Sequence, residues 1–152
     1  MSTHTASEKL RANLQRVLVD LVDLHVLGKQ AHWNATGPGF RSIHLQLDEL
    51  VDAAREHSDI IAERMRALQV VPDGRAETVA ATSDLTTYPA GLVSISDTVA
   101  ATVERIGQTV AVVREVHADV DAEDPASADL LNDVVNDLEK QAWLLSSENL
   151  EA

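Results

Sequence analysis

The 152-residue chain contains no cysteine, which excludes disulfide frameworks and thiolate metal sites. Aromatic residues make up only 3% of it although 45% is hydrophobic, so a core has to be built from Ala, Val, Leu and Ile. Four prolines and six glycines leave room for long uninterrupted elements. No stretch approaches about 18 consecutive apolar residues, and the start MSTHTASEKLRAN lacks the apolar heart of a secretion signal. A soluble, cytoplasmic protein is expected. Basic residues are scarce too: 12 Lys and Arg stand against 25 Asp and Glu, a formal net charge of −13. That balance argues against a general nucleic-acid surface and favours one that attracts cations; in its plainest reading it serves solubility.

What is present is helical periodicity. A first pattern runs from about Ser7 to Trp33, with Leu10, Leu14, Val17, Leu21, His25, Gly28 and His32 recurring at intervals of three or four. It stops at the breaker cluster around Gly37, Pro38 and Gly39. A second begins near Phe40 or Arg41 and lasts to about Leu68. A third carries Ile95, Val99, Val103, Ile106, Val110 and Val113 and fades near Asp121. The fourth opens at Asp124–Pro125, a capping residue followed by proline in the first turn, and carries Leu131, Val134, Leu138, Ala142 and Leu145. Four amphipathic helices without a strand pattern predict an all-α bundle in a single domain over 1–152, with 1–6 as a flexible tail. The connection from about Gln69 to Gly91 exceeds an ordinary turn, so it reads as a long crossover, with room for a short helix at ArgAlaGluThrValAlaAlaThrSer.

The second helix also sets a problem. With His44 at zero on a helical wheel, Asp48 falls near roughly 40°, Asp59 near 60° and Glu63 near 100°, so three carboxylates and an imidazole share one side. Such a side is repulsive unless something positive sits against it. Asp48 and Asp59 lie roughly 16 Å apart along the axis, too far to serve one ion. An antiparallel second copy, crossing on a two-fold axis near the small residues Ala53 and Ala54, would bring each His44/Asp48 end to its partner's Asp59/Glu63 end. His32, just before the turn, would fold back beside His44. Imidazole and carboxylate without sulfur suit Fe(II), Zn(II) or Mn(II). None of the six histidines has Glu three residues before it, so a di-iron centre inside one bundle is not expected.

The string HWNATGPGF, followed by His44-x3-Asp48 and Asp59-x3-Glu63, resembles the Dps family, the DNA-binding proteins from starved cells, over essentially the whole chain, including GluLysGlnAlaTrpLeuLeu near the end. The resemblance implies a ferritin-like four-helix bundle assembled as a bacterial cytoplasmic dodecamer of two-fold dimers, with possible association with the nucleoid. It implies a ferroxidase that oxidises Fe(II), preferably with hydrogen peroxide, otherwise with oxygen, and stores ferric mineral, so shielding DNA from oxidative damage. Carried over, His32, His44 and Asp48 of one subunit and Asp59 and Glu63 of the next hold iron, Asp59 and Glu63 with His32 forming the tighter position. Trp33 is either a relay for stray oxidising equivalents or an ordinary buried aromatic. Asp124, Asp129 and Asp133 are candidates for an acidic iron-uptake pore, or else a solvated, dipole-complementing helix start.

The competing reading is a DNA-compacting structural protein whose metal sites mainly stabilise the assembly. DNA binding by that family commonly uses a Lys/Arg-rich tail. Here the first thirteen residues offer only Lys9 and Arg11, and the opposite end is acidic, so weak DNA binding at most is expected. Of the remaining histidines, His25 reads as a hydrogen-bonded core residue, His57 as solvent-facing, and His4 and His117 show no partner pattern. Asp52, on the acidic side, reads as an ion-pair former. Gly28 and Gly107 read as sites of close helix approach.

Overall fold

The computed structural model describes residues 3–150. Four long helices follow the four sequence patterns: α1 (Glu8–Asn34), α2 (Phe40–Ala67), α4 (Ile95–Glu123) and α5 (Pro125–Ser146). The fold is an all-α ferritin-like bundle with a short extra helix, α3 (Ala76–Thr82), in the crossover between α2 and α4. Helices α1 and α2 form one hairpin and α4 and α5 the other; α1 packs on α4 and α2 on α5. One contiguous aliphatic core runs through all four, its largest fully buried side chains being Leu, Ile and Met. Two-residue strands β1 (Ala35–Thr36) and β2 (Val93–Ser94) pair in parallel, tying the α1–α2 turn to the end of the crossover. Sequence periodicity gives no sign of so short a ladder.

Helix starts follow capping chemistry. The Ser7 hydroxyl accepts from the Leu10 N–H, and Ser94 accepts from Asp97 N–H, each satisfying an otherwise unpaired first-turn donor. The segment before α1, part of the expected 1–6 tail, touches the bundle: Ala6 N–H donates to Leu68 O, and His4 lies 3.8 Å from Glu123. Met1 and Ser2 of that tail lie outside the described residues. The Ser7 N–H and hydroxyl also reach Glu123.

Gly28 behaves as expected. A Cβ there would stand 2.8 Å from Val51 Cγ2, so the missing side chain is what lets α1 and α2 approach. Gly107 does not: a Cβ there would meet nothing within 4 Å, so no neighbouring helix requires it. The α1–α2 turn needs Gly37 and Gly39, whose φ of 122° and 82° lie where other residues are strained.

The crossover is strapped to α1. Fully buried Asp20 accepts the Asp84 N–H at 2.9 Å, Ser83 donates to Asp23, and Arg16 pairs with Asp84 at 2.8 Å. On α4, Arg105 donates to Thr86 O and Thr87 O and lies over the Tyr88 ring. No helix among the described residues is long and apolar enough to cross a membrane.

Candidate metal centre

The turn after α1 brings His32 and His44 face to face, with ring centroids 3.6 Å apart and planes 18° from parallel. Each ring is fixed by the other's backbone. His32 Nδ1–H donates to His44 O at 2.7 Å, and His44 Nδ1–H donates to His32 O at 2.9 Å. A carbonyl only accepts, so both Nδ1 atoms carry protons and both Nε2 atoms are left as the ring nitrogens able to bind a metal. Phe40 packs against the His44 ring, its centroid 4.9 Å away. Asp48, one turn along α2, places Oδ1 3.3 Å from His32 Nδ1. His32, His44 and Asp48 therefore gather within one chain.

Asp59 and Glu63 do not join them. Both are exposed on the same side of α2, further toward its C-terminal end. Asp59 borders a recess of about 590 Å³ walled by Leu18, Val22, Ala62 and Pro72. Among the described residues, no three His, Asp or Glu side chains of a single chain converge to hold a metal ion. The chain thus carries two separated half-sets, one of imidazoles with a carboxylate and one of two carboxylates.

Sequence reasoning missed Lys29. Its ammonium sits 2.5 Å from Asp48 Oδ1 and holds that carboxyl below the usual carboxylate range, with the nearby imidazoles acting in the same direction. The signal was available, because Lys29 precedes His32 by three residues and so shares its helix face. Asp48, the carboxylate beside the two imidazoles, is therefore already paired with an intramolecular cation.

Several expectations are corrected. His57 is buried, not solvent-facing, with Nε2 2.8 Å from Asp137 Oδ2. His25 is not a hydrogen-bonded core residue: it is half-buried on the wall of the Asp59 recess, where burial, then Arg55 and Lys29, push its imidazole below the ordinary range. Ala54 lies in the core and Ala53 about 130° round the wheel from the acidic side's centre, so neither forms the surface at a crossing. Asp124 is buried in a two-oxygen pair with Arg64 and a short hydrogen bond from Ser127, so it is not a free pore carboxylate; Asp129 and Asp133 are exposed. Trp33 is 67% exposed in the single chain, which excludes a buried packing role within it. Near the start, Lys9 pairs with Asp119 and Arg11 with Glu8, so both basic side chains already have acidic partners.

Comparison with known proteins agrees with this architecture. Residues 11–151 match the family model of the ferritin-like domain. The chain is 34% identical to the DNA protection during starvation protein of Agrobacterium fabrum, over 97% of this chain and 96% of that one. Among solved structures, Dps from Microbacterium arborescens in its high iron form superposes with a TM-score of 0.89 at 31% identity, covering 98% of this chain and all of that one, 100%. Dps from Mycobacterium smegmatis gives a TM-score of 0.90 at 26% identity, over 97% and 92% of the two chains. With the HWNATGPGF turn, the two half-sets and the crossover bundle in place, the chain belongs to the Dps family of the ferritin-like superfamily.

Proposed function

We propose that this protein is an iron-oxidising and iron-storing cage subunit that protects DNA from oxidative damage, and that its site is completed only between two copies. The observation that carries this is the division of donors: two oriented imidazole Nε2 atoms at one end of the α2 face and two unpaired carboxylates at the other. An antiparallel pair of α2 helices supplies two equivalent sites, each with His32, His44 and Asp48 from one copy and Asp59 and Glu63 from the other. Closed two-fold dimers then build the dodecamer. The relatives' names support DNA protection, and the Microbacterium arborescens structure is of a high iron form.

Fe(II) is the substrate. Hard carboxylate oxygens favour Fe(III) over Fe(II), which eases loss of the electron, and the imidazoles complete a sulfur-free set suited to iron. Two Fe(II) ions giving one electron each reduce one hydrogen peroxide: its O–O bond breaks, two protons are taken up, and two waters leave. Paired oxidation thereby avoids the one-electron product, hydroxyl radical. Oxygen is the second oxidant. His32, Asp59 and Glu63 hold the tighter iron, and His44 and Asp48, the latter paired with Lys29, the weaker one. Trp33, exposed beside His32, takes up stray oxidising equivalents. Asp129 and Asp133 remain the pore carboxylates. DNA contact is weak, since the basic side chains near the start are already paired.

Subunit complementation tests the shared site. His32→Ala/His44→Ala and Asp59→Ala/Glu63→Ala proteins are each expected to lose anaerobic Fe(II) binding and peroxide-driven ferric absorbance. After co-assembly, about half the dimers are mixed and each carries one intact site of two, restoring about a quarter of the sites. No restoration would refute the reading.

A further inference from the structure

The positions around the α2 midpoint carry more information than the metal donors. His44 with Glu63, and Asp48 with Asp59, are both centred between residues 53 and 54. Within the same sector of the wheel lies one further pair of opposite charge with that centre, Asp52 at roughly 80° and Arg55 at roughly 20°. Asp52 and Arg55 are exposed, and among the described residues neither has a side-chain hydrogen-bond or ion-pair partner, although they are only three residues apart.

We propose that a second copy of this chain covers this face in one register, set by reciprocal Asp52–Arg55 ion pairs across the two-fold axis. The inference rests on the shared-site reading and adds what fixes its alignment. In an antiparallel pair centred between residues 53 and 54, the Asp52 of each copy stands level with the other's Arg55. A slip of one turn in either direction separates opposite charges and moves Asp48 away from the facing Asp59 by about 5 Å. Charge therefore selects the register in which the half-sets meet. Arg41 and Arg66 share the centre too, but lie roughly 19 Å out along the axis, where crossing helices have diverged. Asp52 and Arg55 are positioning residues in this arrangement, since they touch the partner and not the metal.

The test is a charge exchange, read on metal-free protein by sedimentation and native mass spectrometry at low salt. Asp52→Arg alone places four positive groups at the axis, and Arg55→Asp alone four negative ones; each is expected to weaken association at least tenfold with helicity unchanged. Mixing the two proteins pairs Arg with Asp twice, so mixed dimers should form preferentially and regain association to within about threefold of the original. The chain carrying both changes should associate like the original. An intrachain role for the pair would give rescue in the double variant and none in the mixture, which would overturn the proposal, as would single variants that associate normally. If the mixture fails while the His/carboxylate complementation succeeds, the shared site stands and this register device falls. If both fail, the two-copy site falls with it.

Discussion

Replacing Asp20 by Asn is expected to stabilise the protein at neutral pH and not at acidic pH. Asp20 is fully buried on α1; Oδ1 accepts the Asp84 N–H, while Oδ2 has no hydrogen-bond partner. Burial, assisted by the Asp84 carboxylate and opposed by that N–H bond, pushes its carboxyl from 3.8 up to about 6. Because the folded value exceeds the unfolded one, the native state holds this proton more tightly. The contribution of Asp20 to stability is therefore fully present below about pH 4 and is lost as the pH rises through 6. A shift of about two units corresponds to at most about 3 kcal/mol at 1.36 kcal/mol per unit. Asn keeps the acceptor for Asp84 but sets an amide where Oδ2 finds no partner, a cost of roughly 1 kcal/mol. The net gain at pH 7.5 is then about 2 kcal/mol, or roughly 4–8 °C in midpoint for a chain of this size. Thermal unfolding of both proteins between pH 4.5 and 7.5, compared as a difference so that other groups cancel, should show the gap opening through pH 6. A constant gap, or an Asn variant that is less stable at pH 7.5, would refute the argument.

Three other substitutions give distinct outcomes. Gly28→Ala gains about 1 kcal/mol of helix propensity but drives a Cβ to 2.8 Å from Val51, whose branched side chain turns poorly; overpacking of about 1–3 kcal/mol wins, so the unfolding midpoint falls and Gly28→Val lowers it further. Lys29→Gln frees Asp48, so anaerobic Fe(II) titration should show the weaker of the two positions filling at lower concentration, with the tighter one unchanged. If Trp33 takes up stray oxidising equivalents, electron paramagnetic resonance after peroxide should show a protein radical that Trp33→Phe removes while leaving Fe(II) binding intact, and an unchanged signal would assign the radical elsewhere.

Local pattern made the four long helices legible, because an apolar stripe, a Ser cap or an Asp–Pro start acts within a turn or two of where it is written. The short α3 was visible for the same reason. His57 was misread because its angle was taken from His44: it lies only about 60° from the centre of the buried stripe, close enough to be covered. The separation of Asp48 from Asp59 along α2 followed from helix rise alone. What stayed hidden were partnerships between distant positions, such as Lys29 with Asp48, Arg64 with Asp124 and Asp20 with the Asp84 backbone. Nothing periodic marks them, and only the packing of one hairpin on the other, or of the crossover on α1, makes them neighbours. Arg55 was overlooked because the acidic side was searched for one sign of charge only.

The reciprocal bonds between each imidazole and the other's peptide carbonyl make the α1–α2 elbow and the donor nitrogens one mechanical part. Any bending of that elbow would swing both Nε2 atoms at once, so Gly37 and Gly39 in the turn would set how the two imidazoles face a metal held as proposed. If the two-copy site holds iron as proposed, damage at Gly37 or Gly39 should register first as weaker Fe(II) binding, before the bundle itself begins to melt.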